Sequence, residues 1–116
     1  MRARERVCAV AEEQLVNPLE DLRRKIDALD EALVRLLNAR AACALEIGRY
    51  KKELGMAIYQ PSREAEVLGH VQKINPGPLD DGAIRRLFER IIDEARRLER
   101  IADGQHVDPG AQISEQ

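Results

Sequence analysis

Between Pro18 and Leu54 the chain has one glycine, Gly48, and no proline after the first residue. Leu19, Ile26, Leu33, Leu37, Ala44, Ile47 and Leu54 recur at steps built from 3 and 4, the spacing of a single helix face. Asn17 and Pro18 read as cap and first helical position, and Gly55 as the terminator. The pattern predicts a helix from Pro18 to Leu54. At about 1.5 Å per residue it would be roughly 55 Å long, far beyond the usual helix. The remaining ordered residues are too few to cover it by folding back. A second long helix, from another copy of the chain, is therefore expected against it.

Further along, residues 55 to 61, GMAIYQP, form a connector. A second helix is predicted from Pro61 to Ile74, with Val67, Leu68, Val71 and Ile74 on its apolar side. Asn75-Pro-Gly-Pro78 breaks it. Asp80 or Asp81 then caps a third helix to Ala102, with a stripe of Ile84, Leu87, Phe88, Ile91, Ala95 and Leu98. Glu99 extends the neighbouring row Phe88, Ile92, Ala95, and so sits at the edge of the buried face. No β alternation and no internal repeat occurs. The fold class is all-α: a three-helix protomer with one very long first helix. Residues 1–16 read as an N-terminal extension, 17–102 as the helical domain and 103–116 as a flexible C-terminal tail.

The charges change the picture. Arg23, Asp30, Arg40 and Lys51 fall on the apolar row of the first helix. Cations on such a face are costly unless something anionic meets them. Two readings stand: interhelical ion pairing, with Asp30 or partner carboxylates as counterions, or a site for a small, multiply anionic ligand. Arg40 and Lys51 are roughly 16 Å apart along the axis, so long side chains can lean toward one ligand. Arg23 is about 25 Å from Arg40 by the same measure, and on its own helix cannot share that ligand. If Arg23 serves such a site, it serves one on another copy.

Composition narrows the classes. The 116 residues make one domain the prior, and aromatics are 3% with no Trp, so aliphatic side chains must build the core. Net charge is -2 with acids and bases interleaved, and nothing resembles a nucleic-acid surface. Cys8 and Cys43 have no metal or redox spacing, and Cys43 reads as a small packing residue. The opening segment, MRARERVCAVAEEQLV, has an apolar run too short and too charged for a signal peptide. No run approaches a membrane span, and the expected location is cytoplasmic. Tyr50, Tyr59 and Phe88 read as packing aromatics and His70 as a surface residue. Arg85, Arg86, Arg90, Arg96, Arg97 and Arg100 read as solvated, some paired with Glu89, Asp93 and Glu94.

Four segments, NPLEDLRRKIDALDEALVRLLNAR, EIGRYK, IYQPSREAEVL and RLFERIIDEARRLE, occur in this order over residues 17 to 101. In these the chain resembles the all-α chorismate mutase family. The resemblance implies an intertwined helical homodimer with two active sites, each borrowing an arginine from the partner. It implies the conversion of chorismate to prephenate, with no metal, cofactor or nucleophile. Arg23, in LRRKID, matches the lent arginine. Arg40, in LLNAR, matches the arginine that holds a substrate carboxylate. Lys51, in GRYK, matches the lysine at the ether oxygen and a carboxylate. Arg63 and Glu64, in PSRE, match an Arg-Glu pair whose glutamate meets the substrate hydroxyl. Glu99, in RRLE, matches a third-helix Gln or Glu that hydrogen-bonds the ether oxygen.

Three positions depart from the commonest family pattern. Gln60 stands where an Asp often precedes the proline, which weakens the helix cap while keeping a hydrogen-bonding side chain near the hydroxyl. Ala95 stands where some members have serine. Glu99 in place of Gln introduces a protonation requirement. Two other functions fit the same residues: an isochorismate-pyruvate lyase on this scaffold, and a non-catalytic helical dimer. The second leaves the inward Arg23, Arg40, Lys51, Arg63 and Glu64 without a purpose.

Overall fold

The structure is a computed structural model that describes residues 2–104. It contains three helices, α1 (Arg2–Leu54), α2 (Pro61–Ile74) and α3 (Asp81–Ala102), and no strand among the described residues. The all-α, three-helix reading therefore stands. The expected start of the first helix does not: α1 begins at Arg2 and runs through Pro18. Pro18 has no N–H to give to the carbonyl four residues earlier, so one rung is missing. The segment before it is rich in Arg, Glu, Ala, Gln and Leu, strong helix formers that carry the helix upstream past that gap. Of the tail expected over residues 103–116, residues 105–116, His106 included, lie outside the described residues.

The chain divides into two compact units, residues 1–38 and 39–116, and α1 contributes to both. In the first unit the apolar stripe is open. Leu19, Ile26, Leu33 and Leu37 are 46%, 55%, 53% and 41% exposed, and Leu22, Leu29 and Leu36 are exposed beside them. Charged side chains on this stretch pair within their own turns. Arg23 Nη1 lies 3.3 Å from Glu20 Oε1, and Arg24 Nη1 lies 2.9 Å from Asp21 Oδ1. Arg23 therefore takes its counterion from Glu20 rather than from Asp30.

The second unit combines the end of α1 with α2 and α3. Gly55 ends α1 at φ +69°, a left-handed conformation that only glycine enters freely, and its N–H donates to Lys52 O. Residues 55–60 then lead to α2, whose cap residue Gln60 is extended and gives no side-chain cap bond. Pro61 occupies the first position, where its missing N–H costs nothing. After α2 the side chain of Asn75 organises the break. Its Nδ2 donates to Leu79 O (2.7 Å) and Asp81 Oδ1 (3.0 Å), and its Oδ1 accepts from Gly77 N–H (3.1 Å). Asp80 caps α3, its Oδ1 accepting from Ala83 N–H at 2.6 Å.

The buried apolar core of this unit is small. Leu68 and Val71 of α2 are buried at 8% and 9% exposure, backed by half-buried Ile84, Phe88, Ile91 and Leu98 of α3. Leu87 and Ile74, expected on apolar faces, are 53% and 61% exposed. Each lies at the margin of its stripe, and Ile74 is the last residue of α2. The third buried side chain is a carboxylate, Glu99.

Candidate active site

Helical spacing sets the site. Arg40, Ala44, Ile47 and Lys51 are separated by 4, 3 and 4 positions on α1, and Ile92, Ala95, Arg96 and Glu99 by 3, 1 and 3 on α3. Each set is one face. The two faces, with the start of α2 and Ile58 and Gln60 of the connector, enclose a cavity of about 410 Å³. Six of the seven residues singled out from the sequence line it: Arg40, Lys51, Gln60, Arg63, Glu64 and Glu99. The seventh, Arg23, belongs to the first unit and is not part of this lining.

Lys51 and Glu99 form the buried end. Lys51 Nζ donates to Ile58 O at 3.2 Å and lies 3.8 Å from Glu99 Oε2, with both side chains largely covered. Glu99 Oε2 is buried without a hydrogen-bond partner among the described residues. Burial pushes the Glu99 carboxyl above the ordinary carboxylate range, and the charges of Lys51 and Arg96 pull the other way without cancelling it. Gly48 makes room for this arrangement: a Cβ there would lie 3.3 Å from Glu99 Cγ.

Cations dominate the walls. Arg40 is half-buried and forms no ion pair among the described residues. Arg63 is mostly exposed and sits 3.7 Å from Glu66 on its own helix. Arg96, expected on a solvated face, is instead 21% exposed and forms an ion pair across the cavity with Glu64 Oε2. Its guanidinium stacks over Tyr59, 4.6 Å from the ring centre. Tyr59 is thus half open and supports a cation rather than filling a core. The signal for Arg96 was present in the sequence, since it stands four after Ile92 and three before Glu99. Its neighbours Arg97 and Arg100, which are exposed as expected, masked it. Cys43, expected as a packing residue, is exposed within the chain and lines the cavity. His70 is exposed, as expected.

The lining carries four basic side chains, Arg40, Lys51, Arg63 and Arg96, against two acidic ones, Glu64 and Glu99, and burial of Glu99 disfavours its charged form. That balance suits a small ligand with more than one negative charge. No cluster of His, Cys, Asp and Glu able to hold a metal occurs among the described residues. Nor is any described helix long and apolar enough to cross a membrane.

Known proteins share this arrangement of helices. A bifunctional chorismate mutase/prephenate dehydratase of Pseudomonas aeruginosa is 43% identical over 86 residues, covering 70% of this chain and 24% of that protein. The chain thus spans about a quarter of that relative's length. A 4-amino-4-deoxychorismate mutase of Streptomyces pristinaespiralis is 34% identical over 84 residues, covering 72% of this chain and 65% of that protein. The crystal structure of chorismate mutase from Helicobacter pylori in complex with prephenate is similar with a TM-score of 0.69 and 31% identity, over 77% of this chain and 97% of that one. The family description chorismate mutase type II matches residues 22–100, and with that match the chain belongs to the chorismate mutase type II family.

Proposed function

We propose that the protein rearranges chorismate to prephenate in the cavity between α1, α2 and α3, with residues 17–102 as the catalytic domain. The observation that carries this is the buried Glu99–Lys51 pair, 3.8 Å apart, in one cavity with Arg40, which forms no ion pair among the described residues. The reaction is internal to one molecule. An ether C–O bond breaks, a C–C bond forms, and no atom is gained or lost. A compact dianion must be held with its two arms together, and negative charge grows on the ether oxygen in the transition state.

Each part has a residue suited to it. Arg40 offers paired donors to a carboxylate. Lys51 Nζ and a protonated Glu99 aim donors at the ether oxygen, where they bind the transition state better than the ground state. Glu64 accepts from the ring hydroxyl, with Gln60 beside it and Arg63 at the rim. Fixing the two arms lowers the entropic part of the barrier. Nothing in this scheme calls for a metal or a redox cofactor.

The functional unit in this proposal is a homodimer with shared sites and a cytoplasmic location. Support comes from the first unit, whose apolar row from Leu19 to Leu37 is open along its length. A single helix with such a row is not stable in water, and a second copy offers the matching row. Arg23 lies on that row and would enter the partner's cavity, adding a second carboxylate clamp.

Two rival substrates bear on the assignment: isochorismate, for a lyase, and 4-amino-4-deoxychorismate, the substrate in the Streptomyces relative's name. Supplying each of the three compounds separately and identifying products by NMR tests the assignment. Prephenate from chorismate is expected. Pyruvate from isochorismate, with chorismate untouched, would replace the proposal by the lyase.

A further inference from the structure

Among the described residues, the Arg96–Glu64 pair is a cavity contact that neither the helix pattern nor the proposed chemistry requires. It joins α3 to the first turn of α2, and the two side chains are only 21% and 26% exposed. Arg96 is fixed from other sides as well, by the Tyr59 ring at 4.6 Å and by Asp93 Oδ1 at 3.6 Å. Its guanidinium engages Glu64 Oε2. Glu64 Oε1 forms no hydrogen bond among the described residues and remains an acceptor in the cavity wall.

We propose that Arg96, by neutralising Glu64, makes the cavity select a ring that carries a neutral hydroxyl over one that carries an ammonium group. This rests on the functional reading above, in which Glu64 meets the ring substituent. A hydroxyl needs only an acceptor oxygen, and Glu64 Oε1 supplies one whether or not the carboxylate is charge-compensated. An ammonium group gains most from a carboxylate with no other counterion. Here the countercharge is already taken, and the incoming cation would meet the guanidinium in a partly dehydrated site, where like charges repel strongly. Rejection arises from the repulsive element as much as from the attractive one.

A purely structural tie between α2 and α3 would leave this preference unchanged when removed, since both substrates would suffer alike. The test is therefore a ratio. For wild type and Arg96→Gln, kcat/KM is measured with chorismate and with 4-amino-4-deoxychorismate. Arg96→Gln removes the charge and keeps a donor within reach of Glu64. The ratio should move toward the amino substrate by about tenfold or more, while Arg96→Lys, which keeps the charge, stays near wild type. An unchanged ratio in Arg96→Gln, with chorismate still converted by wild type, overturns this inference alone. If wild type converts neither compound, the functional reading falls and this inference falls with it. A second measurement needs no variant. In wild type, kcat/KM for the amino substrate should rise relative to chorismate as pH passes the amine's pKa and the ammonium loses its charge. Parallel profiles would overturn the proposal.

Discussion

Lys51 Nζ stands 3.8 Å from Glu99 Oε2 at the closed end of the cavity, and Glu99 nonetheless holds its proton above the ordinary carboxylate range. Burial outweighs the neighbouring positive charge. That sets a direction for the pH dependence. Below its raised pKa Glu99 is neutral and can donate to the ether oxygen; above it the carboxylate repels the charge that develops there. So kcat/KM for chorismate should fall as pH rises through the Glu99 pKa, from mildly acidic conditions upward. Glu99→Gln supplies a donor that does not titrate, and should stay active and flatten that fall. Identical pH profiles for the two proteins would remove Glu99 from this role.

Gly48 offers a test in which stability and activity part company. Alanine there improves intrinsic helix propensity by roughly 0.5–1 kcal/mol. The same Cβ crowds Glu99 Cγ at 3.3 Å and forces the carboxyl to shift by a few tenths of an ångström. Gly48→Ala should keep or raise the melting temperature while kcat falls several-fold, up to about tenfold. Unchanged kcat would mean that the position of Glu99 is not critical.

The cap of α2 is unfinished. Gln60 has the extended backbone of a cap residue but makes no side-chain cap bond. Gln60→Asp can bond the open N–H groups of the first turn, and should stabilise the fold by about 0.5–2 kcal/mol in thermal unfolding. No gain in melting temperature would show that the first turn is already satisfied.

Shared sites predict complementation. Arg23→Ala and Arg40→Ala should each cost most of the activity. In a heterodimer of the two, both lesions fall in one site and the other site is whole. After subunit exchange, about half of the dimers are mixed in a symmetric two-chain assembly, and activity should return. Absence of recovery, with exchange demonstrated, would show that Arg23 acts elsewhere.

The three helices and the inward placement of Arg40, Lys51 and Glu99 were legible from helical spacing, whereas Gln60, Arg63 and Glu64 were singled out only through the family resemblance. Arg40, Lys51 and Glu99 fall on predicted apolar rows, and the structure gathers them around one cavity. What escaped the sequence depended on long-range contact or context. Arg96 looks like its solvated neighbours until Glu64 and Tyr59 are seen to hold it. Asn17-Pro18 carries the local signature of a helix start, yet favourable residues upstream carry α1 back to Arg2. Leu87 and Ile74 fit their stripes by period but stay more than half exposed within the single chain.

The central claim is that this cavity converts chorismate to prephenate, and turnover with a disabled cavity addresses it most directly. Wild type and Lys51→Ala, at equal concentration far below that of chorismate, are followed by NMR for prephenate. The account predicts that wild type converts chorismate completely to prephenate, while Lys51→Ala, folded and of the same assembly state, runs close to the uncatalysed rate. Wild type no faster than buffer, or Lys51→Ala as fast as wild type, would contradict it.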